Sequence, residues 1–271
     1  MSAKTRVSRA AIDSDVVSAV PPFLDSMFNA LRKRVPKAQQ AQAEAFARAF
    51  YRRMSPEEYA LHSPDAWAAL AADFLDLARA RKPGMAEVRV FNATLKQHGL
   101  ESPHTVVQIV NDDMPFLVDS VTMALAEQGI GVHVFGHPVV EIQRDKAGRI
   151  LSVGEGTPES MIHLEIDRQP VEAMPAIERA IQKGLADVRT IVSDWETMRS
   201  KMMEIADDLA TRKMPVSDAG RAEAQEFLHW AAEGHFTFLG YREYEVLKKD
   251  GEELLTPVGK SGLGLLRGKD T

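Results

Sequence analysis

The chain has no cysteine among its 271 residues. That excludes disulfides, thiolate metal sites and cysteine nucleophiles, and it fits a reducing compartment. No apolar run approaches the roughly 20 residues needed to span a bilayer. Lys4, Arg6 and Arg9 make the start basic, but no apolar stretch follows, so it does not read as a secretory signal. Positive charge is not in excess either. The formal net charge of −6 argues against a phosphate-backbone partner, which calls for a basic face. Neither nucleic acid nor membrane is expected as a partner, and the default is a soluble cytoplasmic protein of one large or two smaller domains.

Recognised chemical motifs are also lacking. Gly259-Lys260-Ser261 ends like a phosphate loop, but Leu254 stands where that motif needs glycine. Gly262-Leu263-Gly264 and Gly129-Ile130-Gly131 begin like dinucleotide fingerprints and fail at Arg267 and Val134. His133 and His137 would be a metal pair on a helix. On a strand the same spacing separates them by roughly 13 Å, so they read as satisfied or solvated histidines. His163 and Glu165 read as the polar face of their strand, and His229 and His235 as packing around Trp230. No nucleophile elbow or paired acidic constellation stands out. No metal site is expected.

What the sequence does hold is a strand, an acidic turn, a helix and a second strand between Thr105 and Ile142. Val106 to Val110 is a β-branched run. Asn111-Asp112-Asp113-Met114-Pro115 ends it, and from Phe116 a helical period carries Leu117, Val121 and Leu125 on one face. Gly129 and Gly131 close the helix before Val132. Asp112 and Asp113 are placed to cap the helix N-terminus, with Pro115 in its first turn. The two strands should lie in one sheet. The acidic turn has two readings. One is a capped helix with solvated carboxylates. The other is a ligand loop, in which backbone N–H groups hold a carboxylate while an aspartate holds an ammonium, a pairing suited to an amino acid.

Around this unit the chain reads in order. Residues 1–14 read as a flexible tail and 15–84 as a helical lead-in. In that lead-in, helices fall at 15–34 (broken early at Pro21-Pro22), at 38–54 and from Ser63-Pro64-Asp65 onward, and Ser55-Pro56-Glu57-Glu58 is a further helix start. Strands are expected at 87–92, 105–110, 131–142 (bent at Gly136-His137-Pro138), 149–153 and 160–167, with Ile162, Leu164 and Ile166 facing inward. Gly154 to Pro158 reads as a loop. Together with the 115–128 helix and the start of a helix over 171–211, these make an α+β domain: an antiparallel-rich sheet with those helices on one face. The long helix, which Gly184 is placed to kink, outruns one small domain. Its stripe of Trp195, Met198, Met202 and Ile205 would need cover from the N-terminal helices or from another subunit. Residues 218–271 read as a short helix and a hairpin, with strand from Phe236 to Val246, that begin a second, truncated α/β domain.

The wording at 111–120, Asn-Asp-Asp-Met-Pro-Phe-Leu-Val-Asp-Ser, resembles a known family. So do Asp187-Val188-Arg189 through Asp194-Trp195, and His235-Phe236-Thr237-Phe238-Leu239-Gly240-Tyr241-Arg242. All are similar to the N-terminal region of the large NAD-dependent glutamate dehydrogenases of bacteria, over about residues 85–271. The resemblance implies a ferredoxin-like ACT domain at 85–184, continued by the long helix at 185–213. It implies a parent enzyme that oxidises L-glutamate to 2-oxoglutarate and ammonia with NAD, through a catalytic domain outside this chain. It supplies no catalytic residue and no cofactor within the chain. Expected partners are further domains of the same polypeptide, other copies in a homo-oligomer, and an amino-acid effector at Asn111, Asp112, Asp113, Met114 and Pro115. A stand-alone amino-acid-binding regulator and a purely structural oligomerisation arm are the alternatives.

Overall fold

A computed structural model describes residues 22–52, 62–79, 81–213, 215–249 and 251–268. The expected tail at 1–14, the start of the lead-in at 15–21 and the Ser55-Pro56-Glu57-Glu58 signal lie outside those residues. The chain divides into two units, 1–113 with 129–178 and 114–128 with 179–271.

Among the described residues, the first unit opens with the helices α1 (Pro22–Arg34), α2 (Gln40–Phe50) and α3 (Pro64–Ala78). α2 is built from alanine and glutamine, good helix formers, and its Phe46 and Phe50 are buried. α3 starts as its sequence suggests. The Ser63 hydroxyl accepts the Ala66 amide at 3.2 Å, and Pro64 follows in the first turn.

The sheet comprises β1 (Glu87–Asn92), β2 (Thr105–Asp112), β3 (Val132–Gly136), β4 (Val139–Arg144), β5 (Ile150–Val153) and β6 (Thr157–Ile166). A one-turn helix, α4 (Leu95–His98), lies between β1 and β2. The strand order is β1-β2-β6-β4-β5, with β3 also on β6, and every pairing is antiparallel. β2 and β3 flank β6 and therefore run parallel to each other, as the strand–helix–strand reading requires. β3 and β4 pair with successive stretches of β6, Phe135 opposite Leu164 and Val140 opposite Glu159. The expected bend between them falls at His137-Pro138. Pro138 has no N–H to give a ladder, and its carbonyl accepts the Met161 amide at 2.9 Å. β6 begins at Thr157, inside the stretch that reads as a loop.

Both faces of β2 are buried. On one face Val106, Val110, Val140, Ile142 and Met161 share a core with Met27, Leu31, Phe46, Phe50, Phe74 and Leu75, so α1–α3 cover that face. This overturns one expectation. His163 and Glu165 are not a solvated face but are 8% and 5% exposed, because α3 lies above them and Phe74 meets the His163 ring edge-on at 6.1 Å. On the opposite face Val107, Ile109, Ile162, Leu164 and Ile166 are buried.

The second unit contains α5 (Leu117–Ala126), most of α6 (Met174–Thr211), α7 (Asp218–Trp230), and the short strands β7 (Gly240–Tyr241), β8 (Tyr244–Lys249), β9 (Glu252–Pro257) and β10 (Leu263–Gly264). The expected start of α5 needs correction. Neither Asp112 nor Asp113 caps it, no side chain does, and Pro115 precedes the helix. The N-cap is Phe116, at φ +68°, a left-handed conformation uncommon outside glycine. Leu117, Val121 and Leu125 are buried as their period requires.

α6 runs for 38 residues, about 57 Å at 1.5 Å per residue. It continues through Gly184, where a kink was expected. A Cβ at Gly184 would stand 3.8 Å from the Ser120 carbonyl oxygen of α5, so the missing side chain serves close packing. Ile191 and Met198 of α6 form a core with Ala231 and Phe238, lined by Met202, Tyr241 and Leu263. Met198 and Met202 of the stripe are thus packed against the unit's own downstream segment, while Ile205 is 40% exposed. The same packing explains why Phe236 to Leu239 is not strand: Phe238 turns into the core, and pairing starts only at Gly240. β8 and β9 form the expected hairpin.

Candidate functional site

Side-chain alternation puts Val106, Gln108, Val110 and Asp112 of β2 on the face beneath α1–α3, opposite Glu165, His163, Met161 and Glu159 of β6. Polar groups therefore enter a face otherwise built as core, and each must find a partner.

At one end the partners are arginines. Glu159, fully buried, is gripped by Arg144 Nε at 2.6 Å and its NH2 at 2.7 Å. It is also held by Arg81 Nε at 3.2 Å and NH2 at 2.8 Å. Arg81 reaches Asp112 as well, at 2.6 Å. Two guanidinium groups face two carboxylates, and both forks meet the Glu159 oxygens, the strong geometry for this pair. Burial opposes the Glu159 charge, but Arg144 and Arg81 together hold its carboxyl below the usual range. The turn after β4 completes the network. Gly148, at φ +84°, passes so close to Arg81 that a Cβ would stand 2.3 Å from the Arg81 carbonyl oxygen, while its own oxygen accepts Arg144 at 2.6 Å.

The proposed effector residues are distributed accordingly. Asn111 is buried and donates to the Asp112 carbonyl at 3.1 Å. Asp112 is committed to Arg81 and to the Gly84 amide, 3.2 Å away. Asp113 is exposed, Met114 half-buried and Pro115 exposed. Of the two acids, Asp113 is the one that faces water.

At the other end of the row, Ser102 donates to Glu165 at 2.6 Å, His104 Nδ1 lies 3.2 Å from it, and His163 Nε2 lies 3.8 Å away. Interaction with His163, helped by Ser102 and His104, holds the Glu165 carboxyl down at about 2. The His104 ring stacks on His133 with centroids 4.1 Å apart, and His133 Nε2 sits 2.7 Å from Asp167. His133 is satisfied, by an acid far away in sequence. His137 binds Ser160, and burial lowers its pKa from the ordinary histidine value. Among the described residues, no group of three or more histidines and acids could hold a metal ion.

Beside His163 a cavity of about 460 Å³ opens between α2–α3 and the β3–β4 bend. Phe50, Tyr51, Trp67 and Phe135 give it aromatic walls, and His137 and His163 line it. The Tyr51 hydroxyl donates to the Trp67 carbonyl at 2.7 Å, and their rings meet edge-on at 5.5 Å, so that wall is preformed. The sequence reading missed this cavity, the Arg81–Glu159–Arg144 network and the burial of His163. The only available signal was that these residues share strand parity with core positions.

In the second unit Asp194, 5% exposed, accepts the Gly264 amide at 2.8 Å and pairs with Arg267. Gly264 sits at φ +58°, and a Cβ there would stand 2.4 Å from the Leu239 oxygen. Ser261 accepts the Glu243 amide at 3.0 Å and donates to the Val258 carbonyl at 2.8 Å. The glycine-rich stretch is therefore spent on backbone approach.

Residues 46–181 match the family model for the glutamate dehydrogenase ACT1 domain, half of the chain. The chain belongs to that family. The matched ACT1 stretch takes in α3, all six strands of the sheet and the start of α6. The chain is 35% identical over 255 residues to the NAD-specific glutamate dehydrogenase of Halomonas elongata, covering 90% of this chain and 16% of that protein. It is 36% identical over 189 residues to the NAD-specific glutamate dehydrogenase of Pseudomonas aeruginosa, covering 67% of this chain and 12% of that protein. A third such enzyme, from Mycobacterium tuberculosis, is 29% identical over 172 residues, covering 60% of this chain and 10% of that protein. The chain thus spans 10% to 16% of the length of these curated relatives.

Proposed function

We propose that this chain is a regulatory and assembly region of a longer, cytoplasmic NAD-dependent glutamate dehydrogenase. Other parts of that protein would bind NAD and convert L-glutamate and water to 2-oxoglutarate, ammonia and NADH. The observation that carries the reading is the ACT1 match together with the small share of each relative that the chain spans. The side chains agree with a non-catalytic role. Glu159 and Asp112 together balance the charges of Arg81 and Arg144, and glycines of the 259–264 stretch serve close backbone approach.

An amino acid is the effector class we assign to Asn111–Pro115, with Asp113 as the group for its ammonium, since Asp112 is engaged by Arg81. Titration calorimetry of the purified chain tests the assignment. No heat is expected with NAD, and micromolar NAD binding would overturn the non-catalytic reading. Melting-temperature scans with the common amino acids test the effector. One of them should raise the melting temperature, and Asp113→Ala should diminish that rise. A flat response across the set leaves assembly as the role and removes the sensor.

A further inference from the structure

We propose that the β8–β9 hairpin is a docking surface for a β-strand of the same, longer polypeptide, whose neighbouring chain covers both faces of the hairpin. This rests on the reading of the chain as one region of a longer enzyme, and it names the surface by which that region is joined to the rest.

β8 and β9 form a two-stranded sheet of their own, with Tyr244 opposite Pro257 and Lys249 opposite Glu252. Each strand therefore has one edge with no strand beside it among the described residues, a row of backbone donors and acceptors open to a further strand. Side chains alternate across the ladder. Tyr244, Val246 and Leu255 share one face, Leu247 and Leu254 the other. All five are exposed, from 44% at Leu254 to 68% at Leu255. Val246 lies directly opposite Leu255, and Leu247 opposite Leu254, so each face carries a contiguous apolar pair rather than scattered residues. A one-residue slip in register would only exchange one apolar face for the other. Apolar residues on both faces mark strands that are covered on both sides.

The hairpin is held ready at its base. The Glu243 carbonyl accepts the Val258 amide at 2.9 Å, and Ser261 Oγ accepts the Glu243 amide at 3.0 Å. Gly251, at φ +87°, supplies the positive φ that a tight turn needs. An isolated two-stranded hairpin is marginal in water and draws its stability from further strands or from packing. The size of the relatives points to the occupant. The match to the Halomonas elongata protein covers 90% of this chain but 16% of that protein. Most of such a polypeptide lies outside the matched region, and a covalent neighbour reaches the hairpin at high effective concentration.

Hydrogen exchange read by mass spectrometry compares the 271-residue chain with the full-length enzyme. Amides of residues 244–249 and 252–256 should exchange at least about ten-fold more slowly in the full-length protein. Leu247→Thr and Leu255→Thr alter one face each and keep a β-branched side chain in the strand. In the 271-residue chain both should leave these amides unchanged, because the positions are exposed. In the full-length protein each should speed their exchange at least about ten-fold. Equal exchange in the two wild-type proteins would overturn the proposal, as would variants that leave the full-length protein's protection intact. Light scattering of the 271-residue chain tests the competing occupant. A monomer supports the proposal, whereas a dimer at micromolar concentration that Leu255→Thr dissociates would assign the surface to a second copy. NADH formation by the full-length protein reports the enzyme reading separately, since exchange at the hairpin does not depend on turnover.

Discussion

Glu159→Gln should be the most damaging single polar substitution in the first unit. In the folded chain the Glu159 carboxylate is buried and meets Arg81 and Arg144 through four nitrogen–oxygen contacts of 2.6 to 3.2 Å. Asp112, whose side chain is one-third exposed, supplies the second negative charge of the network among the described residues. Neutralising Glu159 leaves Arg81 with the peripheral Asp112 and Arg144 with the carbonyls of Ala78 and Gly148, so a buried positive charge goes uncompensated. Breaking a buried pair in this way costs about 3–5 kcal/mol. Asp112→Asn, by contrast, removes a partner at the edge where water can substitute, and should cost about 1 kcal/mol. Replacing Arg81, Arg144 and Glu159 together by methionine and leucine should recover much of the loss, because desolvation of the charges disappears along with their attraction. Urea unfolding followed by far-ultraviolet circular dichroism measures all three. A Glu159→Gln cost below about 1 kcal/mol would refute the argument, as would a triple variant worse than the single one.

Other expectations follow from the same contacts. Glu165 has its carboxyl pKa depressed from 4.5 to about 2, so it adds stability above its ordinary value and that contribution is lost as pH falls from about 4.5 towards about 2. Glu165→Gln should therefore flatten the fall in melting temperature across this acid window, and an unchanged acid limb would count against the role. Asp194→Ala should cost about 2 kcal/mol and speed amide exchange at Gly264, since it strips the acceptor from a buried N–H. Gly264→Ala should destabilise the β7–β10 pairing more than Gly251→Ala destabilises the β8–β9 hairpin. Both glycines have positive φ, but only Gly264 has backbone within contact of a Cβ. Exchange rates at β7 and β8 amides compare them.

Period and punctuation made much of the fold legible. The β-branched run of β2, the alternation of Ile162, Leu164 and Ile166, the Ser63-Pro64 helix start and the His137-Pro138 bend all state local preferences that the fold keeps. What stayed hidden depended on distant partners. Asp112 sits just before a helix-like period and reads as its cap, yet Arg81 and the Gly84 amide take its carboxylate. His163 and Glu165 alternate with core residues and read as a wet face, but α3, some ninety residues earlier, covers them. Nothing local to Arg81, beside a Pro-Gly boundary, marks it as one of the most buried side chains in the molecule. The effector loop was read from charge and helix position alone. Packing withdrew Asp112 from it and left Asp113 as the residue to test.

Deletion in the full-length enzyme tests the central claim most directly. Glutamate oxidation by NAD and the mass of the assembly by light scattering would be measured with and without the region corresponding to residues 22–268. The account predicts that turnover persists in the deleted protein while its assembly or its response to an amino-acid effector is lost. A deleted protein with the same mass and the same effector response would contradict it, as would NADH formation by the 271-residue chain alone.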